Sequence, residues 1–324
     1  MLARDAESLF WTGRYLERAE DTARLLDVTY HGLLEATAAE ERVAWQGVLA
    51  AVGLEKAYVE TGRPMTAQAV SDFLVRDPEN PGSILSSVET ARENVRTVRE
   101  SLSTELWEAV NSFCLTLRNR NLAGDLEHQP HELYGFVRQQ CQGVAGVAAE
   151  TLARDEGWRF LRLGWNLERA DWSCRLLRVR QVHLAAVGFH EWVGTLRAAS
   201  ALEAYRRIYR ASMDPADVVR FLLLADNFPR SVFYAIRSAE DSLRLLQGDD
   251  GPSRPLRLLG RLRSDLEFAD VRELIAGDLE EELLRLEGEI RLVCSAIGTH
   301  YFINNNEFDL HLLQVFPGDG SGAE

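Results

Sequence analysis

Along most of the chain, apolar residues recur at three- and four-residue steps, the spacing that lines one face of a helix. Pro and Gly punctuate this pattern at Gly62-Arg63-Pro64, Pro78 to Pro81, Pro130, Asp214-Pro215, Phe228-Pro229 and Gly248 to Pro255. Between these points run segments of 12 to 30 residues rich in good helix formers. No stretch sustains the apolar–polar alternation of a strand. Ser103-Thr104-Glu105 and Asp214-Pro215 read as helix starts, the second with Pro at the first helical position. The pattern predicts an all-α protein. Residues 313–324, ending in a Gly-rich run, are expected to be a tail with disordered last residues.

The pattern also repeats. Gly13 to Val28 recurs as Gly164 to Val179, with nine of sixteen positions identical at an offset of 151. Trp45, Gly47, Leu49, Ala51, Ala57 and Tyr58 recur as Trp192, Gly194, Leu196, Ala198, Ala204 and Tyr205 at an offset of 147. Pro81, Ser83 and Arg96 recur as Pro229, Ser231 and Arg244 at an offset of 148. Three blocks in one order at nearly one offset point to a tandem duplication. The expectation is about twelve helices in two pseudo-two-fold-related halves, roughly 1–155 and 156–312, forming one bundle and one domain over 1–312. No flexible linker separates residues 150 to 160.

The first repeat block carries an unusual stripe. At 100° per residue, Glu17, Glu20 and Arg24 fall within about 60° of the helix surface. Apolar residues flank them on both sides, as expected of a central helix. Glu168, Asp171 and Arg175 repeat the stripe in the second block, and Gly13 and Gly164 leave each stripe open to close approach. Two readings follow. The stripes can form a buried ion-pair network, Glu17 with Arg24 and Glu168 with Arg175, that sets helix register. Alternatively, they can face one another and build a polar pocket. Arg92, Glu93, Asn94 and Arg96 on one Pro-x-Ser helix, and Arg244 on the other, supply similar charged faces. Ser83 and Ser231 are expected to cap these helices.

Composition narrows the function classes. The 324 residues are 46% apolar, too many for a disordered chain. Asp plus Glu number 50 against 36 Lys plus Arg, a net charge of −14 that argues against nonspecific nucleic-acid binding. Lys56 is the only Lys, so 35 of the 36 cations are Arg. Coding bias explains this most simply, but guanidinium also forks to carboxylates as ammonium does not. No 18-residue apolar run predicts a membrane span, and Arg4, Asp5 and Glu7 do not read as an export signal. Cys114, Cys141, Cys174 and Cys294 are expected to be buried thiols in the cytoplasm.

Motifs of familiar chemistry are missing. No His has Glu three residues before it, as a di-iron bundle requires. His128 and His131 are separated by a Pro and need not converge. Neither phosphate-loop spacing nor a Gly-x-Ser-x-Gly elbow occurs. No metal and no cofactor is assigned. Asn304 to Asn306, after Tyr301-Phe302, read as a helix stop, with the aromatic pair as an exposed docking element in the alternative.

Several stretches resemble the bacterial alpha-E family: Leu2 through Arg24, Asp77 through Ile84, Ala91 through Arg96, Ser103 through Asn111 and Asn227 through Val232. The resemblance runs from residue 2 to about 312. It implies an all-helical domain with a Glu-Arg motif, encoded beside or fused to a circularly permuted ATP-grasp ligase, often with a transglutaminase-like protein nearby. The motif residues that match are Glu17, Arg18, Glu20 and Arg24, then Arg92, Glu93, Asn94 and Arg96. Ser238 to Asp241 departs from Ala91 to Asn94, so a two-fold site is imperfect.

The function expected from these observations is that of a helical partner of an ATP-grasp-type amide or peptide ligase. It would hold a peptide or amino-acid-like substrate at a buried network of Arg14, Glu17, Arg18, Glu20, Arg24, Arg92, Glu93, Asn94, Arg96, Glu168, Arg169, Asp171, Arg175, Arg230 and Arg244. One alternative is an enzyme with Glu17 and Glu168 as an acid–base pair whose pKa values are pushed apart. The other is a bundle stitched by ion pairs alone. Partners are the ligase and a transglutaminase-like protein, with neither nucleic acid nor membrane, and the oligomeric state is left open.

Overall fold

The computed structural model describes residues 1–33, 37–181, 189–247 and 251–302. Among them are sixteen α-helices and no strand. The first half holds α1 (Ala3–Gly32), α2 (Ala38–Val52), α3 (Glu55–Glu60), α4 (Ala67–Val75), α5 (Ile84–Thr97), α6 (Thr104–Asn119), α7 (Leu122–His128) and α8 (Pro130–Thr151). The second holds α9 (Glu156–Gln181), α10 (Phe189–Ala198), α11 (Leu202–Tyr209), α12 (Pro215–Leu224), α13 (Val232–Leu246), α14 (Arg254–Glu267), α15 (Val271–Ala276) and α16 (Leu279–Ile297). A π-helical turn, Gly298–Phe302, follows. The expected tail and Asn304 to Asn306 lie outside the described residues.

Sixteen helices replace the expected twelve for a local reason. The repeated block from Trp45 to Tyr58, and its counterpart from Trp192 to Tyr205, each form two helices and not one. Gly53 ends α2 with φ +74°, and Ser200, at the matching place between α10 and α11, has φ +54°. A left-handed residue reverses the chain and separates Trp45 from Tyr58, and Trp192 from Tyr205. The other extra helices, α7 and α15, span seven and six residues, too short to display a helical period.

The caps follow the sequence. Ser103 and Asp214 accept from backbone N–H groups of Leu106 and Ala216, starting α6 and α12. Ser83 and Ser231 accept from those of Ser86 and Tyr234, so each helix start is satisfied by its own chain.

The two longest helices, α1 and α9, pack against each other at the centre. Their crossing is built on Gly13 and Gly164. A Cβ at Gly164 would overlap the Phe10 carbonyl oxygen, and one at Gly13 would overlap that of Leu161. The backbones therefore touch where a side chain would hold them apart. Around this pair, α5 and α8 pack on α1 while α13 and α16 pack on α9. In addition, α2 reaches α9 and α10 reaches α1. The contacts are reciprocal in detail: Gly47 faces Val179, and its repeat partner Gly194 faces Val28.

One continuous apolar core runs through both halves, with Trp45, Tyr58, Trp192 and Tyr205 wholly buried at matching positions. All four Cys are buried and free. Tyr301 and Phe302 do not form an exposed docking pair. Phe302 is buried against Phe10 and Phe160, and Tyr301 is half-buried against Phe160. Among the described residues, no helix is long and apolar enough to cross a membrane.

Candidate functional site

The stripes of α1 and α9 meet, and their Glu-Arg dipeptides exchange partners. Arg18 forks onto Glu168, its Nε donating to Oε1 (2.8 Å) and its Nη2 to Oε2 (3.2 Å). Arg169 returns the contact, Nε donating to Glu17 Oε1 (2.7 Å). Each half thus supplies the cation for the other half's carboxylate. The glycine crossing brings the helices close enough for both pairs to form at once.

Around this exchange lie two unequal clusters. In the first, Glu168 also accepts from Arg14 Nε (2.6 Å), and Arg14 Nη1 donates to Cys294 Sγ (2.8 Å). Arg175 stands 3.1 Å from Asp171 and 4.0 Å from Glu168. Burial by itself would push Glu168 up. Arg14, then Arg18, overcomes it and holds the carboxyl down to about 2. Glu168 is therefore a fixed anion at neutral pH and a poor proton carrier. Both oxygens of buried Asp171 lack a hydrogen bond.

In the second cluster Arg230 is the hub. It stands 2.9 Å from Glu17 and donates to Asp21 (2.5 Å) and Glu20 (2.9 Å). Arg24 bonds Glu20, and Gln142 Nε2 donates to the same oxygen (3.1 Å). Glu20 is held below the usual carboxylate range, Arg230 and Arg24 outweighing its burial. Asp21 behaves oppositely. Burial, with Glu17 and Glu20 beside it, pushes it up to about 7 although it shares Arg230. One guanidinium divided among three carboxylates cannot keep all of them fully ionised. Asp21 is thereby able to change charge near neutrality. Its wholly buried side chain falls outside the 60° stripe arc, so wheel reasoning passed over it.

Three placements correct the sequence reading. Arg24 pairs with Glu20, one turn away, and not with Glu17. Seven residues span about 10.5 Å along the helix, whereas four bring side chains together. Arg92, Glu93 and Arg96 lie outside the buried network. They pair among themselves on an exposed face of α5, with Arg92 also donating to Asn111 on α6 (2.7 Å), while Asn94 beside them is half-buried. Arg244 is exposed, although its partner Glu240 is buried and also held by Arg263 (2.8 Å). The apolar face of α5, not its charged one, is turned toward α1.

Aligning the repeats explains why the clusters differ. Arg230 occupies the position of Gly82, and Asp21 that of Trp172. In the second half, the Ser173 hydroxyl fixes the Arg230 carbonyl (2.8 Å), and the side chain fills the space beside α1. In the first half Gly82 leaves that space open, as a cavity of about 230 Å³ lined by Arg18, Arg175, Trp172, Leu54, Phe73 and the 79–82 loop. Asn80 shapes this loop: its amide donates to the Phe73 carbonyl (2.9 Å), and its oxygen accepts from Gly82 N–H (2.9 Å).

One further group has metal-ligand chemistry among the described residues. Asp27, His31 and His131 place ligand atoms within 4.8 Å of one another. His131 Nδ1 lies 2.7 Å from Asp27 Oδ1, and Arg138 lies 3.0 Å from Oδ2. His131 thus converges with His31, while His128 is exposed beside Glu127. The positive charge of Arg138 on the same carboxylate opposes a cation there.

The chain is similar to uncharacterized proteins of Mycobacterium bovis, 30% identical over 307 residues, and Mycobacterium tuberculosis, 29% identical over 307 residues. Each match covers 86% of this chain and 34% of the relative, so the chain spans about a third of the length of these proteins. No solved structure matches. The alpha-E model, described as a predicted alpha-helical domain with a conserved ER motif, matches residues 1–302, and in the structure Glu17-Arg18 and Glu168-Arg169 are the two dipeptides that exchange partners across the glycine crossing: the chain belongs to the alpha-E family.

Proposed function

We propose that this chain is a helical partner of an ATP-grasp-type amide or peptide ligase and holds a peptide or amino-acid-like substrate for it. The observation that carries this reading is the cavity opening onto Arg18 and Arg175, beside carboxylates locked by cross-helix pairs. Such a site is built to bind and orient a ligand. A Glu168 carboxyl held at about 2 moves no protons at neutral pH. The mycobacterial relatives carry nearly two further lengths of sequence, consistent with a helical domain that works alongside other domains. A cytoplasmic location, where ATP is available and thiols stay reduced, suits this role. We also take the halves to be related by an approximate two-fold axis, on the strength of the reciprocal contacts at Gly13, Gly164, Gly47 and Gly194.

The test is reconstitution with an ATP-grasp-type ligase from the same organism, and with a transglutaminase-like protein where one is present. A stable complex and faster ATP-dependent amide formation are expected. The acidic exterior predicts that high salt weakens the complex. A ligase that neither binds the chain nor responds to it would sink the proposal. An acid–base enzyme is the second reading, with Asp21, pushed up to about 7, in place of the expected pair of Glu17 and Glu168. In that case Asp21→Asn would abolish turnover while binding persisted.

A further inference from the structure

Asp27, His31 and His131 bring a carboxylate and two imidazoles to one place, where α1 ends and α8 begins. Asp27 is buried, while the side chains of His31 and His131 are 45% and 59% exposed, so the group is anchored on one side and open to solvent on the other. His31 Nδ1 donates to the Asp27 backbone carbonyl (2.9 Å). A carbonyl only accepts, so in a neutral ring Nδ1 carries the proton and Nε2 keeps its lone pair. Ligating imidazoles are commonly oriented in this way, one nitrogen tied to a carbonyl and the other left for the metal. His131 Nδ1 shares a proton with Asp27 Oδ1 (2.7 Å), and its ring stands edge-on to that of His31 with centroids 4.7 Å apart. The repeat separates this group from a simple helix tie. Arg178 stands at the place of Asp27 and pairs with Glu287 on α16 (2.8 Å), as Asp27 pairs with Arg138 on α8 (3.0 Å). Each half thus ties its central helix to an outer one through one ion pair, with the signs exchanged. The two imidazoles are additional to that tie, and no second such group occurs among the described residues. Arg138 takes Oδ2 and leaves Oδ1 to the rings. Its charge opposes hard cations such as Ca²⁺ and Mg²⁺, which depend on several oxygen ligands. Zn²⁺, which bonds well to imidazole nitrogen, is affected less. Tetrahedral Zn²⁺ sets its nitrogen and oxygen ligands about 3.4 Å apart, so the His131–Asp27 contact has only to widen slightly.

We propose that Asp27, His31 and His131 bind one Zn²⁺ ion, with water completing its shell, and that the ion clips the last turn of α1 to the first turn of α8. The ion takes the place of the proton shared by His131 and Asp27, which passes to solvent. None of the three residues lines the cavity at Gly82, so the site goes beyond the proposed function and stands or falls without it.

Calorimetric titration of the metal-free full chain with zinc chloride at neutral pH tests it. One Zn²⁺ per chain should bind with Kd of about 100 μM or tighter. His31→Asn and His131→Asn, both at exposed side chains, should each weaken binding at least about tenfold. His128→Asn, also exposed and close in sequence, should bind as the wild type does. Ca²⁺ and Mg²⁺ at about a hundredfold excess should not compete. Zn²⁺ should raise the unfolding temperature of the wild type and of His128→Asn, but not that of the chain carrying both His31→Asn and His131→Asn. Cooperative unfolding of each metal-free variant separates a lost ligand from a lost fold. The proposal is overturned if Zn²⁺ binds more weakly than about 100 μM, or if either His31→Asn or His131→Asn binds within about tenfold of the wild type. It is equally overturned if His128→Asn binds as poorly as they do, or if Ca²⁺ or Mg²⁺ displaces the ion.

Discussion

The two carboxylate clusters descend from one repeated stripe, yet they solve the problem of buried charge differently. Around Glu17, Arg230 reaches in from the loop before α13 and closes the cluster from within the chain. Around Glu168, Arg14 takes the balancing role from the opposite side, and the position of Arg230 is Gly82. In the first cluster Arg230 fills the space beside the carboxylates. The second borders an open cavity. The repeated stripe is thus closed by its own chain in one half and borders a cavity in the other. Two differences separate the outcomes, Gly82 for Arg230 in the loop and Trp172 for Asp21 on the helix.

The crossing that both clusters share should give the largest effect. Gly164→Ala places a methyl group into the Phe10 backbone, which cannot yield as a side chain would. A loss of more than about 4 kcal/mol, or failure to fold, is expected in urea unfolding. Gly143→Ala on exposed α8, where nothing lies within 4 Å, should instead gain about 0.5–1 kcal/mol. If both changes cost the same, close backbone approach does not define the crossing.

Next in size is an asymmetry between the clusters. Arg230 and Arg18 are similarly buried, at 11% and 12% exposure. Arg230→Met leaves three carboxylates with two cations and should cost about 3–5 kcal/mol. Arg18→Met leaves Glu168 its bond from Arg14 and should cost less, about 1–3 kcal/mol. Equal losses would show that Arg14 does not hold Glu168 once Arg18 is gone.

The pH dependence should also divide them. Asp21 is raised to about 7 in the folded state from an ordinary value of 3.8, so the folded state holds its proton longer. Its contribution to stability falls as pH rises from about 4 through 7. Glu168 is lowered to about 2 from 4.5, so its contribution is complete above 4.5 and disappears as pH falls toward 2. Asp21→Asn should therefore improve relative to wild type between pH 5 and pH 8 in denaturation curves. A difference that stays constant across that range would place the titration elsewhere. The smallest effect is expected on α5: Arg96→Ala, at an exposed pair, should change stability by no more than about 0.5 kcal/mol.

Much of this arrangement was legible in the sequence. The all-helical class followed from periodicity, and the duplication followed from Gly13 to Val28 recurring as Gly164 to Val179. The meeting of the stripes was one of two readings that a single helix left open, since a wheel does not say which helix faces it. Short helices escaped because six or seven residues carry too few apolar positions to show a period. Ser200 was hidden because nothing about Ser announces a left-handed backbone, whereas Gly53 does. Charged α5 residues were misplaced because a charged face with helical spacing looks the same whether it meets another helix or water. Asp21 depends on Arg230, 209 residues away, and the cavity at Gly82 on Trp172 and Arg175, about 90 residues away, and local spacing does not record them.

The exchange of Glu-Arg partners between α1 and α9 is tested most directly by a double-mutant cycle on Arg18→Gln and Glu168→Gln, read by chemical denaturation at pH 7. The forked contact predicts a coupling energy above about 1 kcal/mol, within the range seen for residues in one network. Additivity within about 0.3–0.5 kcal/mol, as for sites that do not touch, would contradict it.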